Sequence, residues 1–233
     1  MPSDHSTSVG EEVGERLHDL AQEVKPRLRG WLHAGVMPLA VAGGVVLVAL
    51  SPTPGTRVAA AVFMLTAMLL FGVSAVYHTG TWTPQTKERL KRFDHANIFL
   101  LIAGSYTPFA LLLLEPRDAT VLLVLVWSGA VLGVLFRVFW LGAPRWFYVP
   151  VYIALGWAAV FWMPAFADRA SVAVLTLLIV GGGLYSLGAV VYGFKRPNPA
   201  PNWFGFHEVF HTFTIAAFTS HYVGISLAAY ALR

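Results

Sequence analysis

The sequence contains no cysteine, so disulfides and thiolate metal sites are excluded, and any metal must be held by His, Asp or Glu. Charge is scarce too. Only 12% of the 233 residues are Asp, Glu, Lys or Arg, about half the share usual in a soluble domain, and a water-facing surface cannot be built from that supply. The first 30 residues lack the apolar core of a cleaved signal peptide and carry Glu11, Glu12, Glu15, Asp19 and Glu23, so they are expected to remain on the mature chain.

What is present is apolar. Hydrophobic residues make up 57% of the chain, and they recur in runs of about 20, the length that crosses a hydrocarbon core as a helix. This predicts an all-α, multi-pass protein of the cell membrane. Seven transmembrane spans are expected near 31–50, 57–79, 94–114, 119–141, 146–166, 170–194 and 206–230, separated by SPTPGT, the basic TKERLKR, EPRD, GAPR, ADR and KRPNPAPN. Loops this short predict antiparallel neighbours in one bundle over residues 31–230. Gly129, Gly133, Gly181, Gly182, Gly183 and Gly188 are expected to let helices pack closely. Ahead of the bundle lies a tail, residues 1–30. In it Ser8 and Glu11 resemble a capping box, and Val9, Val13, Leu17, Leu20 and Val24 form a stripe, which fits either a short amphipathic helix or a solvated tail.

Lys and Arg set the orientation. With the N-terminus cytoplasmic, twelve of the sixteen basic residues fall inside, and only Arg57, Arg117, Arg169 and Arg233 fall outside. The expected topology is therefore N-terminus in, C-terminus out. The net charge of +4 then reflects topology and anionic lipid headgroups, with membrane lipids and no nucleic acid as partners.

That topology assigns a depth to each polar residue. His78 ends the second span, Asp94 begins the third, and His207 and His211 begin the seventh, so four potential ligands share the cytoplasmic level. His207 and His211 lie four residues apart, on one side of a helix and about 6 Å apart along its axis. Such a pair can grip one tetrahedral zinc, with His78 as the natural third ligand and water as the fourth. Ser74 shares a helix face with His78. Asp94 has a second reading as the N-cap of the third helix. His221 is about 15 Å beyond His211 along the helix, too far for the same ion, and is expected to form an interhelical hydrogen bond. His33 is at the right depth for a supporting role, His95 points about 100° away from Asp94, and GSYTP (104–108) is expected to support a bend at Pro108.

HEVFH, residues 207–211, also matches the HExxH of zinc proteases. The continuation is missing. Thr214 and Ala217 stand where a metzincin needs glycine and histidine, and no Asp or Glu follows Glu208. Glu208 is one residue off the His pair and is expected to face the cytoplasmic interface without a role in the chemistry.

SAVYH with Ser74 and His78, DHANIFLLIAGSYTP with Asp94, and HEVFHTFTIAAFTSH with His207, His211 and His221 together resemble the three signature segments of the hemolysin III family. This is the bacterial branch of the progestin and adipoQ receptors. The resemblance covers all seven spans. It implies zinc bound by His78, His207 and His211, a water between the ion and Asp94, and Ser74 close by. By the same resemblance the expected activity is zinc-dependent hydrolysis of a lipid amide or ester drawn from the bilayer, with Asp94 accepting a proton and Ser74 orienting water or stabilising the oxyanion. A zinc-stapled membrane sensor without turnover fits the same ligands. A pore-forming hemolysin fits less well, since no span carries the polar stripe of a wide channel, and an HExxH intramembrane protease would need an upstream third ligand.

Overall fold

The computed structural model describes residues 26–232, and the amphipathic stripe of residues 9–24 lies outside them. Among the described residues all regular elements are helices, with one isolated bridge between Ala200 and Phe204. In chain order they are α1 (Trp31–Leu50), α2 (Pro54–Thr79), α3 (Pro84–Leu113), α4 (Pro116–Phe139), α5 (Arg145–Gly156), a 3-10 segment (Ala158–Trp162), α6 (Met163–Arg169), α7 (Val172–Phe194) and α8 (Phe206–Tyr230).

Among the described residues, three of the eight α-helices start at a side-chain cap. Thr53 and Thr83 accept the orphan amides of Thr56 and Thr86, each followed by a proline at the first helical position, and Ser171 caps Val174 in the same way. The Thr83 cap corrects an expectation. The basic TKERLKR is not a loop but the first turns of α3, which begins at Pro84 instead of Asp94. Its charges lie mostly at the surface, with Glu88 and Arg92 paired at i, i+4. Asp94 therefore sits inside a helix and caps nothing.

The fifth expected span is also different. It is broken: α5 ends at Gly156, a 3-10 turn follows, and α6 restarts with Pro164 in its first turn. The Tyr106 hydroxyl spans the break, donating to the Gly156 carbonyl at 2.6 Å and accepting from the Ala159 amide at 2.9 Å. Thus Tyr106 of GSYTP satisfies backbone groups that the α-helix has released. Elsewhere in that motif, Gly104 is needed for packing, since a Cβ there would lie 2.0 Å from Thr66 Oγ1 on α2. The Ser105 and Thr107 hydroxyls donate to the carbonyls of Ile102 and Ala103, and α3 runs on through Pro108.

Helices adjacent in sequence pack side by side, α5 meets α7, and α8 closes the bundle by touching α1, α2, α3 and α7. Phe63, Phe71, Phe99 and Phe109 are fully buried between them. Six helical segments, including the broken Arg145–Arg169, are long and apolar enough to cross a membrane. The 25-residue α8 is not one of them, since Thr214, Thr219, Ser220, His221 and Ser226 lower the hydropathy even of its later, more apolar part. Of the glycines expected at contacts, Gly133 meets Phe99, Gly129 meets Leu155, Gly181 meets His221 and Gly188 meets Phe213. Gly182 and Gly183 do not. Nothing lies within 4 Å of a Cβ at either position, and both line a cavity instead.

Candidate metal centre

Three helices deliver the site. His78 comes from the last turn of α2, and His207 and His211 from the first turns of α8. One ring nitrogen from each lies within 4.8 Å of the others, and all three residues are buried. The closest pair, His207 Nε2 and His78 Nε2, is 3.2 Å apart. Two ligands of a tetrahedral zinc with bonds near 2.0 Å stand about 3.3 Å apart, so that edge matches. The donor set is three imidazoles with no thiolate, and it suits zinc.

The third helix, α3, brings Asp94, whose Oδ2 lies 3.7 Å from His78 Nε2. Ser74, one turn before His78, is within hydrogen-bonding reach of that carboxylate. The residues picked out by depth and spacing thus come together across a sequence separation of 129. Gly30 makes room for them. It ends the entry to α1 at φ 87, and a Cβ there would stand 2.6 Å from His78 Cβ.

The other polar residues sort by partner. The His33 ring stacks on His211, with centroids 3.8 Å apart and planes 15° apart, and neither of its nitrogens has a hydrogen-bond partner. It buttresses one of the three candidate ligands. His221 lies outside the cluster, with Nε2 3.2 Å from the Leu178 carbonyl on α7, the interhelical bond expected of it.

Glu208 departs from expectation, for it is fully buried. Its Oε1 accepts from Arg29 Nε at 2.9 Å and its Oε2 accepts from the Gly205 amide at 2.8 Å. A side chain at the third helical position naturally reaches back to the cap amide, and that turns it away from the His pair and onto the segment before α1. Both oxygens are engaged there, so Glu208 is not placed as the base of a protease.

Beside the cluster runs a cavity of about 270 Å³. Ser74, Asp94, His95, His207 and His211 line one end, Tyr106, Tyr185 and His221 the other, and mainly apolar side chains the length between. The wall includes Trp157 and Ile179, both 53% exposed on the outer surface, so the cavity reaches the outside between the broken helix and α7. Non-helical backbone at such depth is tolerated where it is buried or lines a cavity.

Tyr192 and Arg137 escaped the sequence reading, and His95, expected to point away from Asp94, lines the same cavity with it. Tyr192 also faces the cavity, and Arg137 stands behind His95 with Nη2 2.9 Å from His95 Nδ1. A lone tyrosine in a span carries no pattern that reveals such a contact. For Tyr106 a signal existed, its place in a motif too polar for mid-span.

A model of the family described as Haemolysin-III related matches residues 21–222. The chain is 33% identical over 154 residues to the Hemolysin-3 homolog of Bacillus subtilis (strain 168), covering 66% of this chain and 69% of that protein. It is 28% identical over 186 residues to Hemolysin-3 of Bacillus cereus, covering 78% and 84%. Progestin and adipoQ receptor-like protein 1 of Caenorhabditis elegans is 28% identical over 192 residues, 72% of this chain but 43% of the worm protein.

Proposed function

This chain belongs to the haemolysin-III related family of integral membrane proteins, and on that premise we propose that it is a zinc-dependent hydrolase of lipid amides or esters. The carrying observation is the convergence of His78, His207 and His211 beside Asp94 at the end of a largely apolar cavity. The seven-span topology belongs to the same proposal. Helix α8 is the seventh span in this reading, its low hydropathy owed to polar residues along its length, and the excess of basic residues supports a cytoplasmic N-terminus with the site on that side.

His78, His207 and His211 would hold the ion through ring nitrogens. When bound, zinc supplies Lewis acidity and makes water a nucleophile near neutral pH. The Asp94 carboxylate accepts the proton from the attacking water at Oδ2, the oxygen nearest His78, and returns it to the leaving amine or alcohol as the C–N or C–O bond breaks. The Ser74 hydroxyl holds that carboxylate in place, and His33 keeps the His211 ring from turning. The apolar walls take the acyl chain and exclude bulk water, and a lipid enters sideways, past Trp157 and Ile179.

Purified protein, assayed for zinc and for release of fatty acid from amide lipids alongside Asp94→Asn, tests this. Loss of product with zinc retained supports hydrolysis. Zinc in the folded wild type with no product from any amide or ester lipid would reject it in favour of a metal-stapled sensor.

A further inference from the structure

A second polar group stands at the same end of the cavity, and the metal chemistry leaves it unused. Arg137, in the last turn of α4, is 1% exposed and has no carboxylate partner among the described residues. Its guanidinium lies over the Tyr148 ring at 4.2 Å, and its Nη2 is 2.9 Å from His95 Nδ1. An uncompensated charge buried this deep is costly and calls for a purpose.

Arginine can only donate. His95 Nδ1 must therefore accept, which leaves the proton of the neutral ring on Nε2. That Nε2 is 3.3 Å from the Tyr192 hydroxyl, and the Tyr148 hydroxyl is 3.2 Å from the same oxygen. The Tyr152 hydroxyl donates to the His95 carbonyl at 3.1 Å, and Arg145 donates to the Tyr192 carbonyl at 3.3 Å, so both backbones are tied down.

We propose that Arg137 is a positioning residue that acts through His95 to make Tyr192 a hydrogen-bond donor to the carbonyl oxygen of a lipid in the cavity. A phenol oxygen has two acceptor lone pairs. The His95 Nε2–H fills one, and the other is assigned in this proposal to the Tyr148 O–H, a contact in which either hydroxyl can donate. Tyr192 keeps only its own proton to offer. It lies on the cavity wall with its ring 5.8 Å from that of His207, so the offer is made beside the metal cluster. Such a group recognises a carbonyl or carboxylate and rejects a donor. The inference rests on the proposed lipid cavity but not on turnover.

The test is NMR of zinc-loaded protein in lipid nanodiscs with isotope-labelled histidine, the His95 signal being the one lost in His95→Gln. A neutral ring protonated at Nε2 is expected in the wild type and in Tyr192→Phe, with that preference lost in Arg137→Met. A ring protonated at Nδ1 or at both nitrogens in the wild type overturns the proposal, and so does an unchanged signature in folded Arg137→Met. The second readout uses a long-chain methyl ketone, isotope-labelled at the carbonyl, which has no bond to hydrolyse. Its carbonyl resonance is expected to move downfield on binding wild type. In Tyr192→Phe that shift disappears and affinity falls about two- to tenfold. No carbonyl shift in the wild type also overturns the proposal. If both signatures appear and no lipid is hydrolysed, the hydrolase reading falls and this inference stands.

Discussion

The two ends of the cavity both carry histidine and use it differently. At one end His78, His207 and His211 turn ring nitrogens toward a common point, with Asp94 beside them. At the other, His221 spends its Nε2 on a backbone carbonyl of α7 while Tyr106 clamps the broken helix. The residue type is the same and the burial comparable, yet the purposes are opposite. Imidazoles that converge on one point can hold a cation between them, whereas an imidazole facing a carbonyl spends its nitrogen there and holds helices together. Partners, not burial, separate a ligand from a strut.

Metal analysis tests that contrast hardest. His207→Ala combined with His211→Ala is expected to weaken zinc binding by more than about a hundredfold, whereas His221→Ala should keep the full metal content. Equal loss in both would erase the distinction. Next in size is Asp94→Asn, predicted to retain zinc while lipid-amide turnover drops about 10²–10⁴-fold, as read by product release under excess substrate.

At the far end the effects are on stability. Tyr106→Phe leaves the Gly156 carbonyl and the Ala159 amide without their partner and is expected to destabilise by about 1–3 kcal/mol, seen as a lower melting temperature in detergent with zinc unchanged. Gly181→Ala drives a methyl toward His221 Cδ2, 2.2 Å from its ideal position, for a loss of about 1–3 kcal/mol. The neighbouring Gly183→Ala meets nothing and should stay within about 0.5 kcal/mol. A Gly183 variant as unstable as the Gly181 one would mean that α7 turns a different face toward α8.

Much of this is legible in the sequence. The helical class and the loop breaks other than TKERLKR follow from apolar runs and their proline-rich or charged interruptions, and the placement of His207 and His211 on one helix face follows from helical periodicity. Depth, inferred from the basic residues, brings His78 and Asp94 to the same level. Less legible is where helices begin: Thr83 and Pro84 start α3 ten residues before the apolar stretch, a signal that hydropathy overlooks. The break in the fifth span is hidden because its composition stays apolar while its backbone groups are satisfied by Tyr106, some fifty residues earlier.

Sequence alone therefore determined an all-helical membrane chain, its family resemblance and the short-range pairing of two histidines, because composition and the 3.6-residue period are local properties. Only the tertiary structure decided that Glu208 turns to Arg29 and Gly205, that Asp94 faces His78, and that Arg137 reaches Tyr192 by way of His95. The reason is physical: a buried polar group takes whichever partner helix packing brings within about 3 Å, and packing joins residues that no local pattern connects.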